Sequence, residues 1–199
     1  IKFINILFLL TKTKFKFLVP KKCDILCYDQ GKKFNTNIKN ILRSLEFDVL
    51  HVRLEKLNFF VALNSIFSKI FNLELSLKNH YIKNYCNYSR PKIILSTSHT
   101  DKNFLYLKKN IQSDYKTVLV QRCPYKASDF NTKNIKPIVD QTYLFNKRSL
   151  KIIKSKVNSK EFILGSFNNN FQKKIKNKKN FILLISGYKK KFEISNLKN

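Results

Sequence analysis

Apolar residues follow two spacings along this chain. Short unbroken runs fall near residues 24–28, 47–53, 92–97, 116–121, 141–145 and 160–164. Between them, apolar residues recur at helical spacing: Ile38, Ile41, Leu42 and Leu45; Leu57 to Phe71; Leu75 to Tyr88; Phe104, Leu107 and Ile111; Leu150, Ile153 and Val157. Runs without alternation suit strands covered on both faces, and a helix between two such strands suits a parallel crossover. The pattern predicts an α/β domain, a Rossmann-like doubly wound parallel sheet. The wide apolar arc from Leu57 to Phe71 is expected to face the core, although a partner or membrane face would show the same pattern.

The clearest βαβ unit runs from Pro91 to Arg122. In open parallel sheets, ligands sit beyond the carboxyl ends of the strands. Here those ends carry Ser98, His99 and Asp101, then Gln121 and Arg122. The first strand ends Asp29-Gln30-Gly31, and Gly31 suits a tight turn or close approach of a ligand to backbone. The spacing is not GxGxxG, so the dinucleotide fingerprint is missing. A later strand ends at Gly165-Ser166 and Asn168.

In the second strand, His51, Arg53 and Glu55 alternate and would share one face. Charged groups on a covered sheet are costly unless paired or open to a cleft. Arg53 could pair structurally with Glu55 or Asp29, or bind an anionic group. In the second case His51 or Glu55 becomes a candidate base for a hydroxyl, with Asp101 nearby. Asp29, His51, Arg53, Asp101 and Gln121 are expected to converge on one cleft mouth.

Charge adds a competing picture. The formal net charge is +28. Such an excess suits nucleic acid, an anionic membrane or phosphorylated substrates. It is nearly all Lys, however, with abundant Asn, Ile and Phe, a mixture that A/T-rich codons also produce. The few Arg residues serve base-edge reading poorly, so nucleic acid is the disfavoured partner. Residues 1–20 read as an amphipathic, Lys-flanked helix, either packed on the domain or lying on an anionic membrane. The run from Phe3 to Leu10 is far short of the roughly 20 residues of a membrane span.

Cys23, Cys27, Cys86 and Cys123 show no zinc spacing and read as buried free thiols of a reducing cytoplasm. No Asp-x-Asp motif appears, and no metal or cofactor is expected. The chain has no Met, so it is expected to be a fragment, at least at its start. The charged stretch Lys173 to Lys179 reads as a linker, so 21–172 forms the main domain. Residues 173–199 then hold that linker and the first strand of a second domain, near Phe181 to Ile185.

The ordered strand ends resemble the surface-carbohydrate biosynthesis proteins, bacterial proteins of lipopolysaccharide and capsule synthesis with a layout like GT-B glycosyltransferases. The likeness covers about residues 22–188. It rests on Tyr28-Asp29, on His51-Val-Arg53-Leu-Glu55, and on Pro91-Lys-Ile-Ile leading to Asp101. Val120-Gln121, Gly165-Ser166-Phe167 with Asn168-Asn169, and Leu184-Ile185-Ser186 with Tyr188 complete it. Leu54 replaces the Gly usual in that family, Arg122-Cys123-Pro124 stands where Asn-Gly is usual, and Thr97-Ser98-His99-Thr100 where an Ile-Asp-Asn run is usual. The resemblance implies an acceptor-side domain, transfer of a glycosyl or polyol-phosphate unit from a nucleotide-activated donor, and a glycan or lipid-linked acceptor. It implies work at the inner face of the cytoplasmic membrane, and no activity from this chain alone. The alternative is a non-catalytic basic module for nucleic acid or an anionic membrane.

Overall fold

The computed structural model describes residues 13–29, 45–52, 56–111, 114–130 and 136–165. Six parallel strands form the main sheet: β2 (Ile25–Asp29), β3 (Phe47–His51), β5 (Ile93–Ser96), β6 (Lys116–Val120), β7 (Ile138–Leu144) and β8 (Asn158–Ile163). Their order is β3-β2-β5-β6-β7-β8. Each of the six strands expected between residues 24 and 164 is present. β3 stops at His51 and Val52 lies in a turn, two residues before the expected end. Pleating shows in the core. Leu26 and Tyr28 join Leu50, Ile94, Leu119 and Leu144 in the main cluster, while Ile25 and Cys27 face the other way with Val49 and Leu95.

Helices flank this sheet. The fold is thus α/β with a parallel sheet of Rossmann-like layout. α1 (Phe59–Phe71) and α2 (Leu77–Ser89) lie between β3 and β5. The segment expected as one helix over 102–111 is two short pieces, α3 (Lys102–Leu105) and α4 (Leu107–Asn110), broken at Tyr106. Phe104, Leu107 and Ile111 are nonetheless buried, as their spacing predicts. α5 (Lys147–Lys156) presents Ile153 to the core, and Asn146 caps it by accepting from the Ser149 amide. The helix expected around Ile38 to Leu45, the linker after Lys173 and the strand near Phe181 lie outside the described residues.

Two expectations are corrected. Residues 14–16 form a strand, not part of a helix: β1 (Lys14–Lys16) pairs in parallel with β4 (Lys56–Asn58). Lys14-Phe15-Lys16 alternates with period two, a strand pattern. Asn58 fixes this corner: its Nδ2 donates to Leu18 O at 2.6 Å, its amide donates to Tyr81 Oη at 2.9 Å, and its Oδ1 accepts from the Val61 amide.

The second correction concerns α1. Its inner face is Val61 and Ser65, and Ser65 and Ser68 both accept from Asn84 Nδ2 on α2. Its apolar arc, Phe59, Phe60, Leu63, Ile66, Phe67, Ile70 and Phe71, points outward. The core does not absorb that arc because α2 takes the helix by its small, polar side. Among the described residues, no helix is long and apolar enough to cross a membrane.

Candidate functional site

Strand order fixes where a ligand would enter. The chain runs from β2 to β3 on one side, then returns past β2 to β5 and continues outward on the other side. The carboxyl ends of β2 and β5 therefore flank a topological switch point, the place where open parallel sheets bind their ligands. Tyr28 is the register partner of Ser96, and Asp29 of His51.

The loop after β5 is unusually buried for a connection. Ser96, Thr97, Ser98 and His99 are all buried. The Ser98 amide donates to Ser96 Oγ at 3.0 Å, which turns the chain back over the strand end. His99 then lies under the β6–β7 loop. Its ring centroid is 4.4 Å from that of Tyr125 and 5.4 Å from that of Phe130. Its Nε2 is 3.4 Å from Asp129 Oδ2. Burial pushes the imidazole below its ordinary pKa, and the Asp129 carboxylate pulls partly the other way. The result is a ring neutral at pH 7 beside an ionised carboxylate.

Asp129 is itself held. Its Oδ2 accepts from the Lys126 amide at 2.8 Å, closing a three-residue helical turn, Ala127–Asp129. That amide, opposed by some desolvation and aided by His99, lowers the carboxyl's pKa. Tyr125 is buried, and its hydroxyl has no hydrogen-bond partner among the described residues. Burial raises that phenol's pKa, so it stays a neutral donor and acceptor. A buried hydroxyl without a partner is a cost that native proteins normally avoid. Tyr125, Asp129 and Phe130 lie in a polar stretch to which the sequence pattern assigns no role. Two aromatics in so polar a loop were the available signal.

The other expected site residues divide. Asp101 is committed locally: it caps α3 through the Asn103 amide at 2.8 Å, accepts from Tyr28 Oη at 3.3 Å and lies 3.7 Å from Lys78 Nζ. A carboxylate with three partners and little exposure is poorly placed as a base. Gln121 is also buried, not at a cleft mouth. Its Nε2 donates to Cys123 O and Ser149 Oγ, both at 2.9 Å, and its Oε1 accepts from the Phe145 amide at 2.7 Å. These bonds lock β6 to β7 and α5. Arg122 beside it is exposed. His51 is half-buried at the end of β3, next to the backbone of Asp29. Gly165 follows β8 with a φ of 78°, a left-handed conformation suited to Gly, and opens onto space. Gly31, Arg53, Glu55, Ser166 and Asn168 lie outside the described residues, as does the side chain of Asp29. The expected convergence is thus limited to neighbouring strand ends, with Gln121 removed from it.

At the opposite edge, a cleft of about 770 Å³ opens where β5 and β6 begin, lined by Arg90, Lys92, Tyr115 and Lys116 among others. None of the expected site residues lines it. In sheets of this topology chemistry gathers at the carboxyl edge, so the His99 cluster is the stronger candidate although its rings are buried. Among the described residues no group of three or more His, Cys, Asp or Glu could hold a metal ion. Cys23, Cys27 and Cys86 are buried free thiols as expected, with burial raising Cys23 to about 11 and Cys86 to about 12, whereas Cys123 is exposed. No protein-family model, curated protein or solved structure matches the chain.

Proposed function

We propose that this chain supplies the acceptor-side domain of a GT-B-type, two-domain transferase of surface-polysaccharide synthesis. The enzyme would move a glycosyl or polyol-phosphate unit from a nucleotide-activated donor to a glycan or lipid-linked acceptor, at the inner face of the cytoplasmic membrane. The observation that carries the reading is the His99–Asp129 pair at the carboxyl end of β5, beside the switch point. Acceptor activation needs a neutral base near a hydroxyl, and a buried imidazole oriented by a carboxylate has that chemistry. With Nε2–H donating to Asp129, Nδ1 carries the lone pair. As the acceptor oxygen bonds to the transferred carbon or phosphorus, its proton passes to His99. The donor's phosphate leaves with the electrons of the broken bond. Asp101, already spent on Tyr28 and Asn103, serves the loop that carries His99.

Saturation-transfer NMR of the chain with short oligosaccharides and with nucleoside diphosphates tests the reading. The expected result is oligosaccharide binding that perturbs the His99 ring and is lost in His99→Phe. Failure of every sugar to bind, or binding indifferent to His99→Phe, rejects it. A second reading, a basic module for RNA, draws on the net charge of +28. It requires RNA affinity that falls steeply with salt.

A further inference from the structure

The outward face of α1 stands apart from the His99 site. Phe59, Phe60, Leu63, Ile66, Phe67, Ile70 and Phe71 fall within one arc of the helix and are 39–87% exposed. The surface does not end with the helix. Phe59 packs on Phe60 at 5.8 Å, on Phe17 at 5.4 Å and on Phe15 at 6.5 Å between centroids. Leu18 and Val19 extend it, at 82% and 50% exposure. Isolated exposed apolar residues are ordinary, but a contiguous patch of this kind marks an interaction surface.

The inner side of α1 removes the simplest alternative. A helix waiting to pack into its own core would present this arc inward, whereas Ser65 and Ser68 already hold that side to Asn84. The occupant must therefore come from outside the described fold. Charge decides its chemistry. Residues 13–22 and 56–77 contain six Lys and a single acidic residue, Glu74. Lys14, Lys16, Lys21, Lys22 and Lys56 are exposed, and Lys14 and Lys56 are register partners beside Phe15 and Leu57. A second copy would bring the same positive charge to the contact. An anionic bilayer offers acyl chains for the aromatic arc and phosphates for the lysines at its margin.

We infer that the α1 face and the adjoining Phe15–Val19 segment form a docking surface for anionic membranes, with α1 lying in the plane of the headgroups. Lipid contact then runs through folded elements, independent of any role of residues 1–12 and of what binds at His99.

The test is co-sedimentation of the full chain with phosphatidylcholine vesicles, with and without an equal part of phosphatidylglycerol. The chain should sediment with the mixed vesicles alone, and less so as salt rises. Phe67→Ser with Ile70→Ser, both at exposed positions, should weaken binding at least tenfold with an unchanged circular dichroism spectrum. As a measure that does not depend on that variant folding, Phe71→Trp should show fluorescence quenched by brominated lipid. The inference is overturned if the chain stays in solution, if binding survives the double substitution, or if brominated lipid leaves the Phe71→Trp signal untouched. A dimer that the double substitution dissociates, without vesicle binding, would give the face to a second copy instead.

Discussion

Tyr28 Oη donates to Asp101 Oδ2 at 3.3 Å, joining the end of β2 to the turn after β5 across the switch point. Burial, reinforced by the Asp101 carboxylate, raises the pKa of the phenol, so this donor never ionises in the usual range. Tyr28→Phe should cost about 1 kcal/mol, one hydrogen bond's worth. Asp101→Ala also loses the cap of α3 and should cost about 2 kcal/mol. Denaturant titration measures both. If Asp101 is structural, ligand affinity should be unchanged once the protein is folded.

His99 should make the fold sensitive to mild acid. Its folded pKa lies below the ordinary 6.5, so the unfolded chain takes up the proton first. Stability is full above about pH 6.5 and declines as pH falls toward the folded value. His99→Phe, which keeps a ring between Tyr125 and Phe130, should remove that decline. Melting curves between pH 7.5 and 5 provide the comparison. The Asp129 contribution, from a lowered carboxyl, is lost only at pH values below the ordinary 3.8.

Gln121→Leu should be among the costlier single changes. It strands the Phe145 amide, leaves the buried Ser149 Oγ short of a donor and removes the bond to Cys123 O. A loss of about 2–4 kcal/mol is expected. If Gln121 instead served a ligand, the stability loss would be small and the binding loss large.

Asp140 staples β6 to β7. Its Oδ2 accepts from the Thr117 amide at 2.6 Å and the Thr117 hydroxyl at 2.9 Å, with Lys108 Nζ at 3.0 Å. Burial raises this carboxyl's pKa, and the Thr117 and Lys108 contacts outweigh it, so the net shift is downward. Its stabilisation is present above about pH 3.8 and is lost as pH falls through the lower folded value. Asp140→Ala should cost about 1–2 kcal/mol at pH 7 and flatten the acid limb of the stability profile.

The strands were legible because β2, β5 and β6 are apolar runs bounded by polar residues, a pattern that survives any packing. Lys147–Lys156 was legible as a helix for the same reason, through Ile153 and its neighbours. The orientation of α1 was not. Hydrophobic period fixes which residues share a face but not whether α2 or solvent meets it. The pairing of His99 with Asp129 was hidden too, since it depends on how the loop after β6 folds back over β5. Asp101 and Gln121 were rightly placed near strand ends, yet polarity at a strand end does not tell a ligand contact from a local staple.

The strand order also bears on how the sheet is assembled. β6, β7 and β8 each add beside the strand synthesised just before it, onto an edge already laid down. β5 is the exception: it must bypass β3 and find the far edge of β2, pairing Ile93 with Ile25. That is the longest loop closed between neighbours among the described strands, and its entropy is lost before any pairing energy returns. Until it closes, β2 has one bare edge and β6 has no template. The kinetic bottleneck of folding should therefore lie at the same seam that, once joined, lets Tyr28 reach Asp101.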